Sequence, residues 1–316
     1  MLKLEDYLDA ATRQNTRRSY ESALRHFEQE WGGYLPATTE SVVRYLVDHA
    51  SKLSLNTLRH RLAALSQWHR EQGFVDPCKS ALVRKTLKGI RVLHPATEQR
   101  AVPLQIEHLS QVVVWLENAI EQAAQAGDHT ALLRHSRDKS LLLLGFWRAF
   151  RGDELTRLCI EHVSLTPGEG MSCFLRQSKG DRQLSGRTFK VPALSRLCPV
   201  SAYIDWIQLS GLTSGPVFRA INRAGHVSDQ GLHINSLIPL LRRLFTQAGL
   251  PSPEGYSSHS LRRGFAGWAN TNGWDVKTLM EYVGWRDLKS AMRYVDAADP
   301  FSRDRIERGL ANLPVD

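Results

Sequence analysis

Four short motifs in the later two-thirds of this 316-residue chain carry side chains able to do chemistry. Ala149-Phe150-Arg151-Gly152-Asp153-Glu154-Leu155 holds an arginine three residues ahead of a glutamate. Ser178-Lys179-Gly180-Asp181 places a lysine in a polar, glycine-containing stretch. His259-Ser260-Leu261-Arg262-Arg263 sets a histidine one helical turn before an arginine, and Val283-Gly284-Trp285 is followed nine residues later by Tyr294. Arg151 and Arg262 each present a planar, permanently charged fork of donors that matches phosphate or carboxylate oxygens. A tyrosine hydroxyl can form a covalent intermediate, but with a free pKa near about 10 it needs help to lose its proton. Lys179 and His259 can move protons, and Trp285 offers one indole N–H beside a large apolar face. Taken singly, each reads more easily as a surface ion pair, a helix-face histidine or a core aromatic. Those readings do not account for the order of the four motifs or for the nine-residue gap. Tyr256 and Tyr282 lie nearby without that spacing.

The set resembles the tyrosine recombinase (phage integrase) family. In that family an Arg precedes Glu-Leu, a hairpin carries a Lys, a His-x-x-Arg box follows, and a Tyr lies nine residues after a Gly-His or Gly-Trp. The resemblance implies a mostly α fold with a small β-sheet or hairpin. An all-helical core-binding domain stands in front of a mixed α+β catalytic domain, and the two clamp DNA. It also implies roles. Tyr294 is the nucleophile that takes the broken strand as a 3′-phosphotyrosine, and Arg151 and Arg262 hold the non-bridging phosphate oxygens, where charge spreads in the transition state. Lys179 protonates the leaving 5′ oxygen, with Lys190 on the same hairpin as the alternative. His259 accepts the tyrosine proton or hydrogen-bonds the phosphate, Trp285 holds a phosphate oxygen and packs the site, and Glu154 orients its neighbours. No cofactor is implied: the phosphotyrosine conserves the bond energy, so ATP is not needed, and the cations stand where a metal would. The expected partners are double-stranded DNA sites, joined by a homotetramer through a four-way junction, with room for an accessory protein. Site-specific recombination for integration, excision or resolution of a mobile element or replicon is the leading reading. Relaxation of the type IB topoisomerase kind and DNA binding without catalysis are the others. Two positions depart from the commoner pattern: Arg263 replaces a second His, and Trp285 stands where many members have His.

Hydrophobic spacing indicates how the motifs are positioned. Residues 1–92 read as helices alone, with stripes at Tyr20, Leu24, Phe27 and Trp31, at Val42, Val43, Leu46 and Val47, and at Leu58, Leu62, Leu65 and Trp68, then a basic helix over 79–92. Residues 93–103, with two prolines, read as a linker, and 104–316 as the catalytic domain. In it helices are expected over 106–126, 130–150, 232–248, 260–271 and 276–283, and two short strands within 171–192 around a polar loop. After Tyr294, Ile306, Leu310 and Leu313 form an apolar stripe, on a helix expected to pack on its own domain or on a neighbouring protomer.

The formal net charge of +9 and pI of about 9.6 favour a polyanionic partner. The surplus is spread over both halves of the chain. Arg59, Arg61, Arg84, Lys85 and Lys88 are candidate phosphate contacts in the first domain, and Arg242 and Arg243 in the second. Cys78, Cys159, Cys173 and Cys198 form no CxxC pair and no zinc-ligand spacing, so no metal is expected. The first residues lack the apolar core of a signal peptide, and the longest apolar run, 112–116, is far short of a membrane span. A cytoplasmic protein with reduced thiols and no membrane partner is the expectation.

Overall fold

The computed structural model describes residues 14–95, 101–176 and 186–292. Lys179, Tyr294 and the stripe at Ile306, Leu310 and Leu313 lie outside these residues. The chain divides into two compact units, Met1–Gln99 and Arg100–Asp316.

The first unit is helical: α1 Gln14–Arg25, α2 Thr39–His49, α3 Leu55–Glu71 and α4 Ala81–Leu93. Three helices start at a hydroxyl cap that accepts an otherwise orphaned backbone N–H: Thr38 for α2, Ser54 for α3 and Ser80 for α4. The predicted stripes close on one core of Phe27, Val42, Tyr45, Leu46, Leu58, Leu62, Leu65, Val83 and Ile90. The first stripe differs from a regular helix in one respect. After Arg25 the chain widens by one residue over His26–Glu30, with Trp31 N–H donating to His26 O at 3.0 Å. The wider turn lets Phe27 and Trp31 both pack on Tyr45, at 5.1 and 5.3 Å between ring centres.

The second unit is built around α6. Its helices are α5 Ile106–Gln125, α6 His129–Trp147, α7 Gly152–Thr156, α8 Pro199–Ser210, α9 Ile234–Gln247, α10 Ser258–Thr271, α11 Val276–Val283 and α12 Leu288–Ala291. Residues 141–146 of α6 are buried on all sides, the burial expected of a helix apolar all round; α5, α8 and α10 pack against it. An antiparallel sheet runs β1 Val163–Thr166, β2 Gly170–Leu175, β3 Arg187–Pro192 in that order, and β4 Arg219–Ile221 pairs with β5 Val227–Gly231. Cys173 in β2 lies opposite both Val163 and Phe189, so its face of the sheet is the buried one. Burial also pushes the Cys173 thiol up to about 12, which keeps it protonated.

Six elements were not foreseen in the periodicity: the short helices α7 and α12, α8, and the strands β1, β4 and β5. β1, β4 and β5 are three to five residues long and half-exposed, too short to show a period. Helix α8 does carry its punctuation, Pro199 in the first turn and Gly211 at φ 64° after the last. The expected helix over 130–150 stops at Trp147, because Ala149 adopts φ 51°. Of the expected linker over 93–103, residues 96–100 lie outside the described residues. Leu93 still belongs to α4, while Val102 N–H donates to Gly255 O and Leu104 N–H to Ser260 O, both at 3.0 Å. Among the described residues no helix is long and apolar enough to cross a membrane.

The Leu104 contact constrains the arginine motif. A Cβ added at Gly264 would lie 1.9 Å from Leu104 O and 3.0 Å from Phe146, so only glycine lets α10 run this close to the segment at Leu104. Gly264→Ala should lower the unfolding free energy by about 2 kcal/mol or more, as overpacking against fixed backbone does; urea denaturation measures it, and an unchanged midpoint would refute the close approach.

Candidate active site

The site begins where α6 ends. Ala149, fully buried, takes a left-handed conformation that points the following chain back across the end of the helix. Arg151 is extended and acts as the residue just before α7. Three residues on, Glu154 reaches back: its Oε2 accepts the Arg151 backbone N–H at 2.8 Å, and its Oε1 accepts from Arg151 Nη1 at 2.6 Å. One carboxylate thus satisfies the open end of α7 and clamps the arginine that precedes it. Glu154 is 3% exposed, whereas the Arg151 side chain keeps 25% of its surface open.

Helix α10 supplies the second cation. Ser257 caps it, accepting from the His259 N–H, and His259 and Arg262 stand one turn apart. The Arg262 side chain is 1% exposed. Its Nη1 donates to Ala149 O at 2.6 Å and lies 4.0 Å from Glu154 Oε2, so the same carboxylate faces both arginines. Its Nη2 lies 3.4 Å from Val283 O, and its guanidinium carbon sits 5.0 Å from the centre of the Trp285 ring. Trp285 reaches that place because α11 ends in Gly284 at φ 79°, after which the Gly284 and Trp285 N–H groups both return to Met280 O. Trp285 is buried and His259 exposed. Arg151, Glu154, Arg262 and Trp285 therefore form one cluster, with two positive charges against one negative. That leaves a net positive site, partly open through Arg151, suited to an anionic group.

Other expected residues fall elsewhere. Lys190 is exposed on β3. Arg59, Arg84, Lys85 and Lys88 are exposed on α3 and α4, while Arg61 is half-buried and donates to Tyr45 OH at 2.9 Å. On α9, Arg242 Nε donates to Tyr256 O, and Arg243, its side chain 57% exposed, lies 3.6 Å from Asp138. The two neighbouring tyrosines are tied into the core. Burial raises the pKa of both. Tyr282 OH donates to Trp147 O at 2.9 Å, and Tyr256 OH lies 3.3 Å from His108 Nδ1. Two arginines not singled out in the sequence also approach the site. Arg187 on β3 donates to Glu281 O at 2.6 Å, and Arg148, 4% exposed, lies between Phe189 and Tyr282. No spacing signal marks them, since their partners are distant in sequence. Among the described residues no group of three or more His, Cys, Asp or Glu could hold a metal ion.

Residues 129–300 match the family model described as the phage integrase family, and the chain belongs to that family, the tyrosine recombinases. The matched span contains every motif of the site. Over 97% of this chain and 89% of the relative, the sequence is 29% identical to an "Integrase/recombinase xerD homolog" from Selenomonas ruminantium. It is 22% identical to the recombinase Cre of Escherichia phage P1, over 89% and 82%. The fold is similar to that of the Tn1549 transposon integrase solved with circular intermediate DNA, at a TM-score of 0.63 and 16% identity, covering 97% of each chain.

Removing the shared carboxylate leaves a buried guanidinium without its counter-charge. Glu154→Ala should therefore destabilise the second unit by about 3 kcal/mol, read by urea denaturation. A loss below about 1 kcal/mol, the range of an exposed pair, would mean that Glu154 does not hold the two arginines together.

Proposed function

We propose that the chain is a site-specific recombinase that breaks and rejoins double-stranded DNA through Tyr294. The Tyr294 oxygen attacks a phosphodiester, forming a 3′-phosphotyrosine and releasing a 5′ hydroxyl; the free 5′ hydroxyl of the partner strand reverses the step and restores tyrosine. Arg151 and Arg262 hold the non-bridging oxygens as negative charge grows on them. Lys179 gives the leaving 5′ oxygen its proton, and His259 takes the tyrosine proton or hydrogen-bonds the phosphate. Trp285 fixes the Arg262 guanidinium from the side and offers its indole N–H to a phosphate oxygen, while Glu154 orients both arginines without reacting.

The observation that carries this reading is the Glu154-centred cluster: two arginines from elements 111 residues apart in sequence meet one buried carboxylate, next to the helix that leads toward Tyr294. Family membership supports the same chemistry, and the engaged hydroxyls of Tyr256 and Tyr282 are in keeping with Tyr294 as the nucleophile. Both units contribute basic side chains to the duplex, with Arg59, Arg84, Lys85 and Lys88 of the first the most open. Strands are exchanged one per duplex through a four-way junction by a homotetramer, with the segment after Tyr294 joining neighbouring protomers and an accessory protein compatible with the scheme. The place of action is the cytoplasm, on integration, excision or resolution of a mobile element or replicon.

The test is covalent capture. A nicked suicide duplex, drawn from the DNA flanking the coding sequence or from a random-sequence pool, should give a slow-migrating adduct on a denaturing gel. Tyr294→Phe should abolish the adduct and keep the mobility shift, and that shift should weaken steeply with salt as phosphate contacts release counterions. An adduct that persists in Tyr294→Phe would disprove the nucleophile; a shift with no adduct from the unaltered chain would favour a binding protein.

A further inference from the structure

Arg148 is a costly residue for its position. It is 4% exposed, and among the described residues its Nε and Nη1 are buried with no hydrogen-bond partner. Burial lowers its pKa, opposed by the Tyr282 hydroxyl. A methionine or leucine would fill the same space without a desolvated charge. The guanidinium instead lies between two aromatic faces, 4.8 Å from the centre of Phe189 and 4.0 Å from that of Tyr282, a geometry in which desolvation strengthens the cation–π attraction. Phe189 belongs to β3 and Tyr282 to α11. Arg148 itself is three residues before Arg151, and its backbone N–H donates to Leu144 O at the end of α6. One side chain therefore joins the turn of Arg151 to the strand that closes the Lys179 hairpin and to the helix leading toward Tyr294. Arg187 joins β3 to α11 by a second route, through Glu281 O.

We infer that Arg148 is a positioning residue for strand cleavage: its stack between Phe189 and Tyr282 sets β3, the strand that follows the Lys179 segment in sequence, against the Arg151 turn. The inference rests on the reading of Lys179 as the proton donor. It separates two arginines three residues apart, one holding substrate oxygens and the other holding the element that carries the acid.

The test uses a suicide duplex that the unaltered chain captures covalently from a random-sequence pool. Single-turnover cleavage is measured per folded molecule for Arg148→Met, Arg148→Lys, Phe189→Leu and Lys179→Ala, with affinity for the same duplex from mobility shifts. Arg148→Met should slow cleavage by about tenfold or more, within the range that general acid catalysis contributes, and leave affinity within about twofold. Arg148→Lys should recover part of the rate, and Phe189→Leu should be slowed in the same direction. A sulfur in place of the bridging 5′ oxygen leaves without a proton, so it should restore most of the rate lost in Arg148→Met, as in Lys179→Ala. Rescue of Lys179→Ala without rescue of Arg148→Met would overturn the inference and leave the recombinase reading intact. So would a lower melting temperature with an unchanged rate per folded molecule. No sulfur rescue of Lys179→Ala would instead overturn the assignment of Lys179, and no adduct from the unaltered chain the recombinase reading itself; the inference falls with either. Should Arg148→Met not fold, Arg148→Lys and Phe189→Leu carry the same comparison.

Discussion

Two guanidiniums cannot be brought together inside a protein without something between them, and here that is the carboxylate of Glu154. Its two oxygens accept the Arg151 backbone N–H and side chain and face Arg262 at 4.0 Å. Desolvating ions of this kind costs several kcal/mol each, and attraction offsets it only where geometry and extra hydrogen bonds are good. The surrounding structure supplies those bonds from backbone: Ala149 O and Val283 O both take Arg262 donors. The end of α6, the start of α7, the body of α10 and the end of α11 are therefore held to one point by charge as well as by packing. An anion placed there would meet donors already oriented, which is the condition under which electrostatic stabilisation of a transition state is strongest.

The hydrophobic core explains why that point does not drift. Helix α6 is buried along its second half, so its C-terminus, and with it Arg148 to Arg151, has no freedom to tilt. Helix α10 lies so near the chain at Leu104 that a single methyl on Gly264 would collide with backbone. The entry of the chain into the second unit and the His-x-x-Arg helix thus fix each other. Exposure then grades across the site from Arg262 at 1% to Arg151 at 25%, and His259 is exposed. The deepest cation is the anchor, and Arg151 and His259 are the groups nearest solvent.

Much of this was legible in the residues. The helical stripes of the first unit, the core helices of the second and the two strands of the hairpin follow from apolar spacing, and the cluster of Arg151, Glu154, Arg262 and Trp285 follows from motif order. Sequence patterns carry local geometry well, because caps, stripes and left-handed stops act over a few residues. They carry little about what meets across the fold. Arg148 reads as an ordinary polar residue at a helix end; only the arrival of Phe189 and Tyr282, 41 and 134 residues later, makes it a buried cation between two rings. Arg242 and Arg243 likewise gain neighbours that spacing does not show: Arg242 Nε donates to Tyr256 O, and Arg243 lies 3.6 Å from Asp138 while its side chain stays 57% exposed. The short strands β1, β4 and β5 were missed because three to five half-exposed residues contain no period to read.

Ala149 shows how strain and charge are matched at this site. A residue with a Cβ at φ 51° is unfavourable, and such local strain is of the order of 1–3 kcal/mol. Glycine would remove it, yet alanine is present and its methyl is fully buried. The left-handed turn has two consequences that an extended or helical residue would not give. It ends α6 four residues before Arg151, releasing that arginine into the extended conformation that lets Glu154 reach back to it. It also leaves the Ala149 carbonyl accepting from Arg262 Nη1 at 2.6 Å, and a hydrogen bond to a charged group contributes about 1.5–3 kcal/mol. The two magnitudes are comparable, so the turn can be held by the arginine it orients. Arg262 is then not merely placed by the fold; the conformation that presents Arg151 depends on it, and the two arginines are linked through backbone as well as through Glu154.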